Sequence, residues 1–238
     1  MTLARDSLIT YAIGDVHGCR DKLIRLLYFC ARHRNDRPAR FVFLGDYIDR
    51  GPDSRGVIEI LINMQRDTQG QVICLRGNHE ALLLNAMGWQ RDEGLLWVAQ
   101  GGARTLLSYG VKQPAELPAK HLDLIRSLPL FFDDGRRLFV HAGVNPLLPL
   151  DQQVETDLLW IREPFLSSDR DYGRLIVHGH TPLRSRIPEL RPNRLNLDTA
   201  AVYGGPLTAA VFDNESTPPI GFITDGEGDV GPKPRLSI

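Results

Sequence analysis

Five short apolar segments of this 238-residue chain end alike, in a cluster of acids, histidines or an amide set beside glycine. Leu8 to Ile13 runs into Gly14-Asp15-Val16-His17-Gly18, and Phe41-Val42-Phe43-Leu44 into Gly45-Asp46-Tyr47-Ile48-Asp49-Arg50-Gly51. Gln71 to Leu75 runs into Arg76-Gly77-Asn78-His79-Glu80. Leu138-Phe139-Val140 ends in His141-Ala142-Gly143, and Leu175-Ile176-Val177 in His178-Gly179-His180-Thr181. A short apolar run bounded by turn residues reads as a buried strand. Amphipathic helical stretches separate the first three, and the order strand, helix, strand, helix, strand predicts parallel crossovers in an α/β sheet. Ligands of such sheets bind beyond the carboxyl ends of the strands. The five clusters are therefore expected to converge on one edge.

The intervening stretches fit that plan. Asp21 is placed to cap a helix with Leu23, Ile24, Leu27 and Phe29 on its apolar face. Pro52, with Asp53 or Ser54 as cap, opens a second helix carrying Val57, Ile58, Leu61 and Ile62. Residues 81–128 read as a helical insertion beside the sheet, with Trp89 and Trp97 filling its core. Leu130-Phe131-Phe132, Asp133-Asp134-Gly135 and Leu138-Phe139-Val140 read as a hairpin. The stretches Leu195 to Asp198, Leu207 to Phe212 and Ile220 to Thr224 carry antiparallel strand signals, and residues 226–238 read as a loose tail. The expected architecture is one α/β (α+β) domain of two packed mixed β-sheets flanked by helices.

Composition excludes several partners. The net charge is −1 and no run of Lys or Arg is present, so neither nucleic acid nor a membrane surface is expected to capture the chain. No segment reaches the roughly 20 apolar residues of a spanning helix. Three cysteines, Cys19, Cys30 and Cys74, share no disulfide or zinc spacing, which suits a reducing, cytoplasmic compartment. Cys19 and Cys74 read as buried packing residues, and His33 and His121 as surface residues of helices.

Taken singly, each cluster has an ordinary explanation: Asp beside Gly is common loop chemistry. Together they offer carboxylate oxygens, imidazole nitrogens and an amide oxygen with no thiolate, a donor set suited to Mn, Fe or Zn. Asp15, His17, Asp46, Asn78, His141 and His180 are too many ligands for one tetrahedral zinc, so two ions sharing a carboxylate are expected. A pair about 3.5–4 Å apart clamps in-line displacement at phosphorus and lowers the pKa of bridging water.

The five motifs, in this order, resemble those of the phosphoprotein phosphatase family of calcineurin-like metallophosphoesterases, nearest the short bacterial and phage-type serine/threonine phosphatases. They span residues 14 to 181, and Tyr203-Gly204-Gly205 extends the likeness. The resemblance implies the αββα sandwich of that superfamily. It implies that Asp15, His17 and Asp46 bind one metal, while Asp46, Asn78, His141 and His180 bind the other, most simply two manganese ions. His79 would be the general acid and Asp49 its orienting partner, with Arg50, Arg76 and Arg162 gripping phosphate. His178 reads as a strand or supporting residue. The implied activity is dephosphorylation of phosphoserine or phosphothreonine, and of phosphotyrosine, in a phosphoprotein or phosphopeptide, by in-line attack of a metal-bridging hydroxide. The alternative is a symmetrical diadenosine tetraphosphate hydrolase. That group usually has glutamine where His17 stands and lacks the second acid of the Asp46 stretch, so His17 and Asp49 count against it. A metal-holding protein without turnover would need neither His79 nor Asp49.

Overall fold

The computed structural model describes residues 8–67, 71–88 and 91–226. Its strands are β1 (Ile9–Ile13), β2 (Ala39–Phe43), β3 (Val72–Cys74), β4 (Phe131–Asp133), β5 (Arg137–Val140), β6 (Leu175–His178), β7 (Glu189–Leu190), β8 (Arg194–Asn196), β9 (Thr208–Phe212) and β10 (Gly221–Thr224). The α-helices are α1 (Arg20–Arg34), α2 (Ser54–Asp67), α3 (Asn78–Ala86), α4 (Arg91–Trp97), α5 (Ala103–Tyr109), α6 (Ala119–Ser127) and α7 (Glu155–Trp160). One sheet has the order β10-β9-β1-β2-β3 and the other β4-β5-β6-β8-β7. Both are mixed. β1, β2 and β3 run parallel, and β9 joins β1 antiparallel. In the second sheet β5, β6 and β8 run parallel, with β4 and β7 antiparallel at the edges.

Strand alternation explains why the sheets stack. Successive side chains of a strand point to opposite faces. In β1, Ile9, Tyr11 and Ile13 join the core under the helices, while Ala12 faces the other sheet. In β9, Ala209 and Val211 face the helices, and Ala210 and Phe212 face inward. The second sheet answers with Phe139, Leu175, Val177 and Leu195. Its outer face, with Leu138, Val140 and Ile176, is covered by Leu158, Ile161 and Phe165. The layers are thus helix, sheet, sheet, helix, and residues of β1 are buried on both faces as a covered parallel strand requires.

Several local details are added or changed. Leu195-Asn196 lies in β8, which pairs antiparallel with β7 as expected and, on its other side, parallel with β6. Helix α1 starts at Arg20, so Asp21 sits inside its first turn and caps nothing. His121 is fully buried, its Nδ1 2.8 Å from the Tyr109 hydroxyl, and His33 is half-buried with Nδ1 2.7 Å from the Tyr11 hydroxyl. Both imidazoles sit on helix faces turned inward to a tyrosine, a pairing that composition does not announce. Cys74 is buried, whereas Cys19 is only half-buried. Asp53, not Ser54, caps α2: its Oδ1 accepts the Gly56 N–H at 2.7 Å. Trp89 and residues 227–238 lie outside the described residues.

Candidate metal centre

Each cluster residue follows closely on its strand. Asp15 follows β1, Asp46 follows β2, His141 follows β5 and His180 follows β6, while Asn78 and His79 open helix α3 directly after β3. The backbone is bent to aim them. Among the described residues His17, Asp46, Asp49, Arg50 and His180 all have φ between 43° and 72°. Side chains other than Gly, Asn and Asp seldom adopt that left-handed region, and such strain gathers at functional sites. Gly45, at φ 99°, makes room: a Cβ there would lie 2.6 Å from the Gly77 Cα and 2.9 Å from His141 Nδ1. The glycines bracketing these clusters are therefore packing requirements where strand ends meet.

Asp46 stands at the middle. Its Oδ2 is 3.3 Å from His17 Nε2 and its Oδ1 is 3.4 Å from His141 Nε2. Two three-residue groups share it, His17 with His79 and His141 with His180, all buried. Asn78 Oδ1 lies 2.9 Å from both His141 Nε2 and His180 Nδ1. Asp15 belongs to neither group; its carboxylate accepts the His180 backbone N–H at 3.1 and 3.2 Å.

Tautomers follow from the outer partners. His17 Nδ1 is 2.9 Å from the Ile48 carbonyl and His141 Nδ1 is 2.8 Å from the Leu44 carbonyl. A carbonyl only accepts, so each Nδ1 carries the hydrogen and each Nε2 turns a lone pair inward. At His141 that lone pair meets two further acceptors, the Asn78 and Asp46 oxygens. Lone pairs aimed at one another are repulsive unless a cation lies between them. His180 Nε2 and His79 Nε2 are buried without a hydrogen-bond partner. The donor set is all nitrogen and oxygen, and it fits a divalent metal.

The electrostatics agree. Burial alone would raise the Asp46 carboxyl, yet His141, His79 and His17 outweigh it and hold it well below the usual carboxylate range. Asp15 is pushed well above that range by burial, then by Asp198 and Asp46. Burial lowers His180 to about 3, with His141 adding to the effect, and lowers His141 as well. His17 moves the other way, because the Asp46 charge outweighs the effect of its burial. His178 is lowered to about 3 by burial and then by Arg194, and rests neutral behind the site against Phe165.

His79 and Asp49 form a second unit. His79 Nδ1 is 2.7 Å from Asp49 Oδ2, which also accepts the Trp97 indole N–H at 2.9 Å. Asp49 Oδ1 accepts the Thr105 hydroxyl at 2.6 Å. The Asp49 backbone N–H lies 2.9 Å from Thr105 Oγ1 and 3.1 Å from Ser54 Oγ. With Nδ1 so engaged, His79 turns Nε2 toward Asp46 Oδ2, 4.0 Å away. The helical insertion thereby enters the site: Trp97 is fully buried as expected, but its N–H holds Asp49 as well.

The three arginines differ. Arg50 Nη1 is 2.7 Å from His17 Nε2, and its backbone N–H donates to the Gly101 carbonyl at 3.2 Å. The Arg76 guanidinium instead contacts Glu155 at 3.3 Å and the Arg126 carbonyl at 3.0 Å. Arg162 is exposed, and its charge acts on His180. Trp160 places its ring 6.2 Å from that of His180.

Glu80 and Asp198 have no sequence signal beyond their motifs. Glu80 is fully buried and accepts four backbone N–H groups: Asp46 at 2.8 Å and Gly77 at 3.0 Å on Oε2, Tyr47 at 2.8 Å and Ile48 at 3.2 Å on Oε1. Burial and Asp46 push it up to about 8, against the pull of the Tyr47 and Ile48 amides. It ties the Asp46 loop to α3. Asp198 is buried, and burial raises it too. Replacing Glu80 by Gln turns two of those bonds into donor–donor contacts. That change is expected to cost about 2–4 kcal/mol and to weaken metal binding roughly 10–100-fold, as loss of a ligand-orienting partner does. Urea unfolding with metal titration measures both; unchanged metal affinity would mean that the loop keeps its shape without Glu80.

A family model described as calcineurin-like phosphoesterase matches residues 10–211. The serine/threonine-protein phosphatase 1 of Salmonella typhimurium is 31% identical over 211 residues, covering 84% of this chain and 90% of that protein. The asymmetrical bis(5'-nucleosyl)-tetraphosphatase PrpE of Halalkalibacterium halodurans is 29% identical over 237 residues, covering 89% and 91%. Among solved structures, a cold-active protein-tyrosine phosphatase of a psychrophilic Shewanella superposes with a TM-score of 0.60 at 19% identity, covering 89% of this chain and 78% of that one. This last likeness concerns the fold.

Proposed function

This chain belongs to the calcineurin-like phosphoesterase family, and from that premise we propose that it is a metal-dependent phosphomonoesterase acting on phosphoserine and phosphothreonine, and on phosphotyrosine, in proteins. Asp15, His17 and Asp46 would hold one divalent ion, and Asp46, Asn78, His141 and His180 a second, with manganese the first choice. Bound there, such a pair activates water for in-line attack at phosphorus and offsets charge on the phosphoryl oxygens. The protein's own groups do the rest. Arg50 grips phosphate oxygens through its planar fork, with Arg162 and Arg76 as further cations on the approach. His79, as the imidazolium, gives its Nε2 proton to the leaving oxygen. Asp49 accepts the Nδ1–H and orients the ring, and Trp97 and Thr105 fix Asp49. No phosphoenzyme is formed.

The observation that carries this reading is the 2.7 Å Asp49–His79 pair with His79 Nε2 turned unpartnered into the cluster. A metal store has no use for an oriented acid. The described residues include no helix long and apolar enough to cross a membrane, and we place the enzyme in the cytoplasm with a phosphoprotein as partner. The rival reading, a dinucleoside tetraphosphate hydrolase, draws on a relative nearly as similar as the phosphatase. His17 and Asp49 count against the symmetrical hydrolases alone.

One panel tests the choice. Metal-stripped protein, reconstituted with Mn, Fe, Zn or Mg, is offered a phosphopeptide and diadenosine tetraphosphate. Activity is expected to need added metal and to favour the phosphopeptide. A kcat/KM higher for the dinucleotide would overturn the protein-substrate reading and leave the metal centre standing. Arg50→Ala is expected to weaken inhibition by inorganic phosphate roughly tenfold or more, since a charge-assisted contact contributes about 1.5–3 kcal/mol, without lowering metal content. Unaltered phosphate inhibition would remove Arg50 from the phosphate site.

A further inference from the structure

Tyr203 closes a single 3-10 turn, Ala201–Tyr203, and none of the groups above needs it. Its side chain is 55% exposed, and the Arg50 guanidinium carbon lies 5.9 Å from its ring centroid. Arg50 in turn touches His17 of the metal centre. The ring therefore stands on the rim of the site, beside the arginine assigned to phosphate. An exposed tyrosine on a turn is ordinary in itself. What sets this one apart is how firmly its turn is held. The Lys22 ammonium donates to the Ala201 carbonyl at 2.9 Å and to the Gly205 carbonyl. Arg186 donates to the Tyr203 carbonyl at 3.1 Å and the Gly204 carbonyl at 3.3 Å. The Thr199 hydroxyl donates to the Pro206 carbonyl at 2.7 Å, and Ala200 and Gly204 bend the chain at φ 61° and 86°.

We propose that Tyr203 is a specificity-determining residue whose ring forms the wall for a planar leaving group, so that aryl phosphate esters bind in preference to alkyl esters. This rests on the phosphomonoester reading above. In an aryl ester the ring is one oxygen away from phosphorus, so a phosphate held at Arg50 brings that ring within stacking distance of Tyr203. An alkyl ester such as phosphoserine has no π-face to offer. Because the turn is braced from α1 and from the Arg186 loop, little ordering is lost when a ring stacks there, and preorganisation of this kind raises affinity. Offset or edge-to-face ring pairs contribute about 0.5–1.5 kcal/mol beyond burial.

The test uses the metal-loaded full chain and two non-hydrolysable ligands, benzylphosphonate and ethylphosphonate, with Kd measured by calorimetry. Wild type is expected to bind the benzyl compound roughly two- to thirteenfold more tightly, the span that ring pairing allows. Tyr203→Ala should collapse that ratio toward one, and Tyr203→Phe should preserve it. The ratio cancels any loss of metal or folded protein common to both ligands. In turnover, the phosphotyrosine-to-phosphoserine peptide ratio of kcat/KM should fall in Tyr203→Ala, through KM for the aryl peptide. A benzyl preference that survives in Tyr203→Ala overturns the proposal, as does its loss in Tyr203→Phe. Wild type that binds neither phosphonate and hydrolyses neither peptide overturns the phosphomonoester reading, and this inference with it.

Discussion

Asp46→Asn is expected to leave the protein folded but with fewer than one tightly held metal ion per chain, and with activity lowered by about 10³-fold. The two carboxylate oxygens serve different imidazoles, Oδ2 facing His17 and Oδ1 facing His141. An amide keeps one acceptor and turns a donor toward the other side, and it removes the one charge both groups share. Metal ions contribute several kcal/mol of transition-state stabilisation, and each 1.36 kcal/mol is a factor of ten in rate, which sets the size of the loss. The backbone should tolerate the change, since Asp46 has φ 54° and asparagine visits that region readily. Elemental analysis of the purified variant gives the answer. Two ions at full occupancy would show that Asp46 does not bridge.

His79→Asn is expected to separate chemistry from metal binding. With Nε2 gone, no proton reaches the leaving oxygen, and turnover should drop by the roughly 10²–10⁴-fold typical of general acid catalysis. Both metals should stay, because His141, His180, Asn78, His17 and the acids remain. The geometry gives this experiment two ways to fail. His79 shares a three-residue cluster with His17 and Asp46, so loss of one metal would make it a ligand. Near wild-type turnover would remove it from the reaction altogether. A substrate with a good leaving group, which needs little protonation, should recover most of the lost rate if His79 is the acid.

The sheet edge was legible because its signals are local. Each strand is a short apolar run that ends in a turn beside glycine, so chain order alone points Asp15, Asp46, Asn78, His141 and His180 at one crevice. The parallel partner that Leu195 to Asn196 finds in β6 was not legible, because a three-residue strand carries no mark of its neighbour's direction. His121 read as surface because helical periodicity cannot tell that Tyr109 waits on the inner face. The contact of Arg76 with Glu155 is likewise absent from the local sequence, since it joins residues 79 positions apart.

By itself, then, the amino-acid sequence determined the succession of strands and helices along the chain and the donor types at each strand end. Both follow from spacing within a few residues. Tertiary structure alone decided that one carboxylate, Asp46, lies between two imidazole sets and that Asp49 is held by Trp97 and Thr105. It also decided that Glu80 pins the Asp46 loop through four amides and that Tyr203 leans over Arg50. Those outcomes depend on how two sheets and an insertion pack, and packing joins groups whose separation along the chain leaves no pattern in either segment.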